Sequence, residues 1–162
     1  MPVCIMRAMS YFGYGKLSTV TFSYVSVPLI DMQHFLNHAM ARIVVFEHLR
    51  LINVGAAGIN QNTFSVSFYV SKLSFTGMEL DLVASIIHGC KEQHSLFIDL
   101  ETSMLGDTLW RNVRGSFNKT EILQLNSGRF LPGVSFDDLL YRQGDYNRLV
   151  DFRISGVFIA PA

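Results

Sequence analysis

Asp31 is the side chain in this sequence best placed to do chemistry. It stands between a strand-like run, Leu17–Leu29, and a helical run that begins at Asp31 itself. Asp is a favoured N-cap there, and a carboxylate near a helix N-terminus is held ionised, so one residue can cap and also act as base or nucleophile. His34 and His38 follow at i, i+4, a spacing that lets both face one site. Zinc needs a third ligand, and neither a His-Glu-x-x-His motif nor another His or Cys in register supplies one, so no metal is expected. Glu47 is either a second working carboxylate or a helix-surface partner of Arg50 at i, i+3, a pair worth about 0.2–0.5 kcal/mol. Cys90 in Gly-Cys-Lys reads as a turn residue; Lys91 could activate it, but no base completes a dyad. Gly55-Ala-Ala-Gly58 follows a helical run and lacks the Lys-Ser/Thr of a phosphate loop, so no cofactor is expected. Trp110, Phe97 and Phe117 read as core rather than as a stacking platform.

The elements that position these groups belong to one domain, residues 1–162. Hydrophobic residues make up 49% and charged residues 16%, a globular balance. Thirteen Lys and Arg offset thirteen Asp and Glu. A net charge of zero offers no footprint for nucleic acid or anionic lipid. No apolar run approaches a bilayer span, so no membrane partner is expected. Two cysteines, Cys4 and Cys90, make no disulfide framework, and with Met1–Arg7 unlike a signal peptide the expected location is cytoplasmic.

No internal repeat stands out. Leu17–Leu29 alternates as a strand up to Pro28. Asp31–Val54 carries Leu36, Ala39, Ile43 and Phe46 at steps of 3, 4 and 3, which predicts one long helix buried on most sides. Phe64–Phe75, Glu79–His88, His94–Met104 and Thr108–Asn118 then read as four strands with short connections, an antiparallel meander. Phe136–Arg142 reads as a short helix and Asp151–Ile159 as a final strand. One greasy helix and one greasy sheet face are buried together most economically if the sheet wraps the helix. The expected fold is therefore α+β, a hot-dog core over residues 17–118 with a C-terminal extension over 119–162.

The junction Asp31-Met-Gln-His-Phe-Leu-Asn37-His-Ala39, followed by Phe46-Glu-His-Leu-Arg50, resembles the hot-dog acyl-CoA and acyl-carrier-protein thioesterases. Their junction reads Asp-x-Asn-x-His-x-Asn-Asn-Ala, then an aromatic, a Glu and an Arg. The resemblance implies hydrolysis of an acyl thioester, with Asp31 as base or nucleophile, Asn37 orienting water or substrate, and Glu47 as the helical carboxylate. Gln33, His34 and His38 would contact an acyl-CoA or acyl-carrier-protein substrate, in a homodimer with the acyl site between subunits. Gln33, Phe35 and His38 depart from the family's Asn, His and second Asn, so the machinery around Asp31 is either rebuilt or lost. Two other functions fit the same residues: another hot-dog enzyme, such as a dehydratase or acyl transferase, and a non-catalytic β-rich assembly module.

Overall fold

The computed structural model of the chain describes residues 17–38, 41–56, 58–59, 62–115, 119–130 and 148–158. Strands and helices follow in the order β1 (Thr19–Ser23), β2 (Ser26–Pro28), α1 (Leu29–His38), β3 (Ile43–Glu47), β4 (Arg50–Ile52), β5 (Phe68–Tyr69), β6 (Lys72–Thr76), α2 (Leu80–Gly89), β7 (Cys90–Glu92), β8 (Ser95–Asp99), β9 (Met104–Leu105), α3 (Asp107–Gly115), β10 (Ile122–Phe130) and β11 (Asp151–Phe158). The main sheet has seven strands, ordered β1-β3-β6-β8-β10-β11 with β9 also beside β10. Every pairing among the described residues is parallel.

This overturns the hot-dog expectation of an antiparallel sheet wrapped around one long central helix. The predicted helix over 31–54 is three elements: α1 covers only Leu29–His38, and the rest forms β3 and β4. The error is one of period. Ile43-Val-Val-Phe-Glu47 alternates in burial, with Val44 and Phe46 inside, and a short apolar run satisfies both a helical and a strand template. Two predicted strands, Glu79–His88 and Thr108–Asn118, are instead the helices α2 and α3. Parallel neighbours need a long return, because a chain leaving the end of one strand must travel back its full length to start the next, and here two of those returns are the helices α2 and α3. The final strand is found at Asp151–Phe158, and β10 was not anticipated. Met1–Arg7, with Cys4, and Phe136–Arg142 lie outside the described residues.

The chain is a solenoid. Thr19, Ile43, Lys72, Ser95, Ile122 and Asp151 are register partners in succession, so the coils run 24, 29, 23, 27 and 29 residues. Each coil lays one strand beside the last and returns across the back. α1, α2 and α3 make three of the returns. Phe64–Val70 makes another without a helix, burying Phe64, Val66, Phe68 and Val70 while exposing the residues between.

The core lies between the sheet and these returns. Two inward rows run across the strands. One holds Val20, Val44, Leu73, Leu96 and Leu123; the other holds Phe22, Phe46, Phe75, Ile98 and Leu125, all buried. Burying each contributes about 1.5–3 kcal/mol. Phe22 stacks on Phe46 with centroids 5.6 Å apart, and Phe46 stacks on Phe75 at 5.5 Å. α1 closes over this ladder: Phe35 meets Phe22 edge to face at 4.9 Å. α1 places Met32, Phe35 and Leu36 inward at helical spacing. α2 is buried on most sides because α3 packs beside it, which is why its residues looked strand-like. Gly89 ends α2 where a Cβ would fall 2.5 Å from the Val66 carbonyl oxygen, so the close approach of these two returns requires glycine.

Candidate functional site

The helices and extended return cover one face of the sheet, and among the described residues no element covers the other, open face. Because side chains alternate, the residues between the buried ones point outward. Two outward rows follow. The first is Thr21, Val45, Ser74, Phe97, Gln124 and Arg153; the second is Ser23, Glu47, Thr76, Asp99, Asn126 and Ser155. The inward rows repeat one chemistry from coil to coil, whereas the outward rows change at every step. Ser23 donates a hydrogen bond to Glu47 Oε2 at 2.8 Å, and Asp99 Oδ1 accepts one from the Glu101 N–H at 2.8 Å.

The rim at the strand C-termini is tightly built. Tyr24, His48 and Gly77 follow β1, β3 and β6 at equivalent positions and share left-handed backbone, with φ of 53°, 48° and 58°. Glu101, beyond β8, has φ 53°. Such backbone costs about 1–3 kcal/mol at a non-glycine residue and persists where the surroundings enforce it. The sheet ladder does so here. Tyr24 N–H donates to the Glu47 carbonyl, His48 N–H to Thr76 and Gly77 N–H to Asp99, at 2.9, 2.9 and 3.0 Å. The Tyr24 ring stacks on the His48 ring at 4.7 Å, and His48 Nε2 meets Glu101 Oε1 at 3.0 Å. Gly77 leaves room for that imidazole, since a Cβ there would sit 2.3 Å from its Cε1. A hollow of about 550 Å³ opens among Tyr24, His48, Arg50, Glu79 and Glu101.

The opposite rim holds a hollow of about 780 Å³ lined by Asn37, His38, Arg42, Tyr69, Lys119 and Arg148 among others. Its ion pairs are Arg148–Glu92 at 2.9 Å and His94–Glu121 at 3.0 Å. Lys119 Nζ donates to the Ile87 carbonyl at 3.2 Å and to that of Cys90, closing the C-terminal end of α2. Burial pulls the Lys119 amine below its ordinary range. Burial also pushes the Cys90 thiol up to about 11, which leaves it a protonated, unreactive core group at neutral pH. Gln93 is fully buried; its Nε2 donates to Thr120 Oγ1 at 2.9 Å, while its Oε1 has no partner among the described residues.

The sequence-predicted site residues fall in separate places. Asp31 is not an N-cap but lies inside the first turn of α1, and it is buried. It lines neither hollow. Asn37 serves the backbone: its Nδ2 donates to the Ser65 carbonyl at 3.3 Å and its Oδ1 accepts from the Ser67 N–H at 2.7 Å. Gln33 Nε2 reaches the same Ser65 carbonyl at 3.5 Å. His34 and His38 are exposed and stack on each other at 4.3 Å, with His38 Nδ1 2.8 Å from the His34 carbonyl oxygen. Glu47 lies on the open face of the sheet, opposite the face that α1 covers. Glu47 and Arg50 sit on different strands, so the helical i, i+3 pair does not exist. Among the described residues, no three His, Cys, Asp or Glu side chains are grouped to hold a metal ion, and no helix is long and apolar enough to cross a membrane.

Sequence reasoning missed Tyr24, His48, Thr76, Asp99 and Glu101. The available signal was the recurring apolar-x-apolar pair, each followed two residues later by a rim residue: Tyr24 after Val20-x-Phe22, His48 after Val44-x-Phe46, Gly77 after Leu73-x-Phe75. No family model, no curated protein and no solved structure matches the chain.

Proposed function

We propose that this chain is a non-catalytic recognition module that binds a polypeptide partner across the open face of its parallel sheet. The supporting observation is the contrast between the two faces. The inward rows hold one apolar chemistry through five coils, as a scaffold requires. The outward rows carry hydroxyl, carboxylate, amide, aromatic and guanidinium groups that differ at each strand, with no described element covering them. A stacked-coil solenoid of this kind offers an extended surface whose residues vary without disturbing the core.

The hydrolase reading has lost the architecture on which it rested. Asp31 and Glu47 occupy different layers, and Asn37 is engaged with backbone. The test sets the two readings against each other. Thr76→Arg on the open face should abolish co-precipitation of a partner that Asp81→Arg, on the exposed side of α2, leaves intact. The same preparations are incubated with a panel of acyl-CoA thioesters. Thiol release that disappears in Asp31→Asn would overturn the recognition reading in favour of the thioesterase.

A further inference from the structure

The described acidic side chains divide into three kinds. Glu92, Glu101, Glu121 and Asp151 each lie within 3.0 Å of a basic side chain: Arg148, His48, His94 and Arg153. Asp31 and Asp81 lie in the first turns of α1 and α2, and Glu79 is the N-cap residue of α2, where the helix dipole favours negative charge. Glu47 and Asp99 have neither arrangement. Both are partly buried on the open face; among the described residues Glu47 accepts a hydrogen bond from Ser23 and Asp99 one from the Glu101 N–H.

Their surroundings repeat. Glu47 shares its strand and outward face with Val45, and Asp99 shares its own with Phe97. Between them Ser74 and Thr76 contribute only small hydroxyl side chains. Each carboxylate therefore has an apolar neighbour one same-face position away. That pair suits a Lys or Arg, which lays its aliphatic stem on apolar surface and presents its charge at the tip. Glu47 and Asp99 are register partners of the same residue, Thr76, so they stand two strand spacings apart, about 10 Å.

Resting on the recognition reading, we propose that β3, β6 and β8 bind a polypeptide segment carrying two basic side chains about 10 Å apart, one at Glu47 beside Val45 and one at Asp99 beside Phe97. A polyproline-II segment presents that spacing at i, i+3, about 9.3 Å, and a helix at i, i+7, about 10.5 Å. The partner's cations pair with two carboxylates that have no basic partner among the described residues.

The experiment pans a random-peptide phage library on the full chain, then measures the affinity of enriched peptides for the wild type, E47Q/D99N and T76R. The expected result is peptides with two Lys or Arg residues three or seven positions apart. Their affinity should fall about tenfold in E47Q/D99N, since two partly exposed ion pairs at about 0.7 kcal/mol each amount to ~1.4 kcal/mol. Both substitutions keep side-chain shape on a solvent face, and matching urea midpoints verify that the fold is retained. Peptides without the basic pair, or with it but indifferent to E47Q/D99N, overturn this inference and leave the recognition reading intact if T76R still abolishes binding. No enrichment, or binding that T76R does not affect, overturns both.

Discussion

Phe46 is the residue at which the solenoid can be tested most sharply. It is fully buried and stacks on Phe22 and Phe75 at once. Truncation to Ala removes a whole ring from a packed interior, a change costing about 3–5 kcal/mol. The stacked geometry places Phe46 near the upper end, because two rings lose their partner. Against a whole-domain stability of about 5–15 kcal/mol, that is a large share. Conservative Leu substitutions permit a finer measurement by double-mutant cycle. Aromatic pairs contribute about 0.5–1.5 kcal/mol beyond the area they bury, so Phe22/Phe46 and Phe46/Phe75 should each show coupling of that size. Phe22 and Phe75 are two strand spacings apart, and their Leu substitutions should add to within about 0.5 kcal/mol. The assay is urea unfolding followed by Trp110, the single tryptophan, which lies buried in α3 two coils away. A Phe46→Ala loss below about 1 kcal/mol, or coupling between Phe22 and Phe75 as large as that of the stacked pairs, would refute the in-register ladder.

Other outcomes follow from the same structure. Gly77→Ala must adopt φ 58° and displace the His48 ring, and thermal melting should show a loss of about 1–3 kcal/mol, with the His48 imidazole resonances shifted. Lys119→Met removes a charged donor from the Ile87 and Cys90 carbonyls and should cost about 1.5–3 kcal/mol in urea unfolding. The Cys90 thiol should resist a thiol reagent at neutral pH until the chain unfolds. Its folded pKa is raised from 9.0 to about 11, so the unfolded chain releases this proton first and stability falls as pH climbs through that window. Lys119, with its pKa lowered, acts in the opposite sense; the Cys90 contribution is therefore read as the difference between wild type and Cys90→Ala across the window.

Within Leu17–Leu29 and His94–Met104, the strands Thr19–Ser23 and Ser95–Asp99 could be read from alternation, because each has one buried and one outward face; the final strand was legible as well. The helices α2 and α3 were not. Val83, Ile86 and Ile87 favour strands locally, and the burial of α2 on most sides, with α3 packed beside it, overrides that preference. The solenoid itself was hidden by coil lengths that vary between 23 and 29 residues, which blur any fixed period. Val44-x-Phe46 and Leu73-x-Phe75 are copies of Val20-x-Phe22, but two apolar residues per coil are a weak signature. Among the candidate site residues, Glu47 belongs to the open face for a reason unrelated to a helix: it follows a buried Phe46 on a strand. Asp99 drew no attention because nothing local marks it; its significance comes from Glu47, two strands away in space and 52 positions away in sequence.

Recognition through the open face is tested most directly by photo-crosslinking from two positions in the cells that express the chain. A photoreactive residue replaces Thr76 on the open face in one variant and His88, exposed on α2, in the other. The account expects a discrete polypeptide adduct from position 76, none from position 88, and loss of the adduct when E47Q and D99N are added. Equal adducts from both positions, or an adduct from position 88 alone, would contradict it.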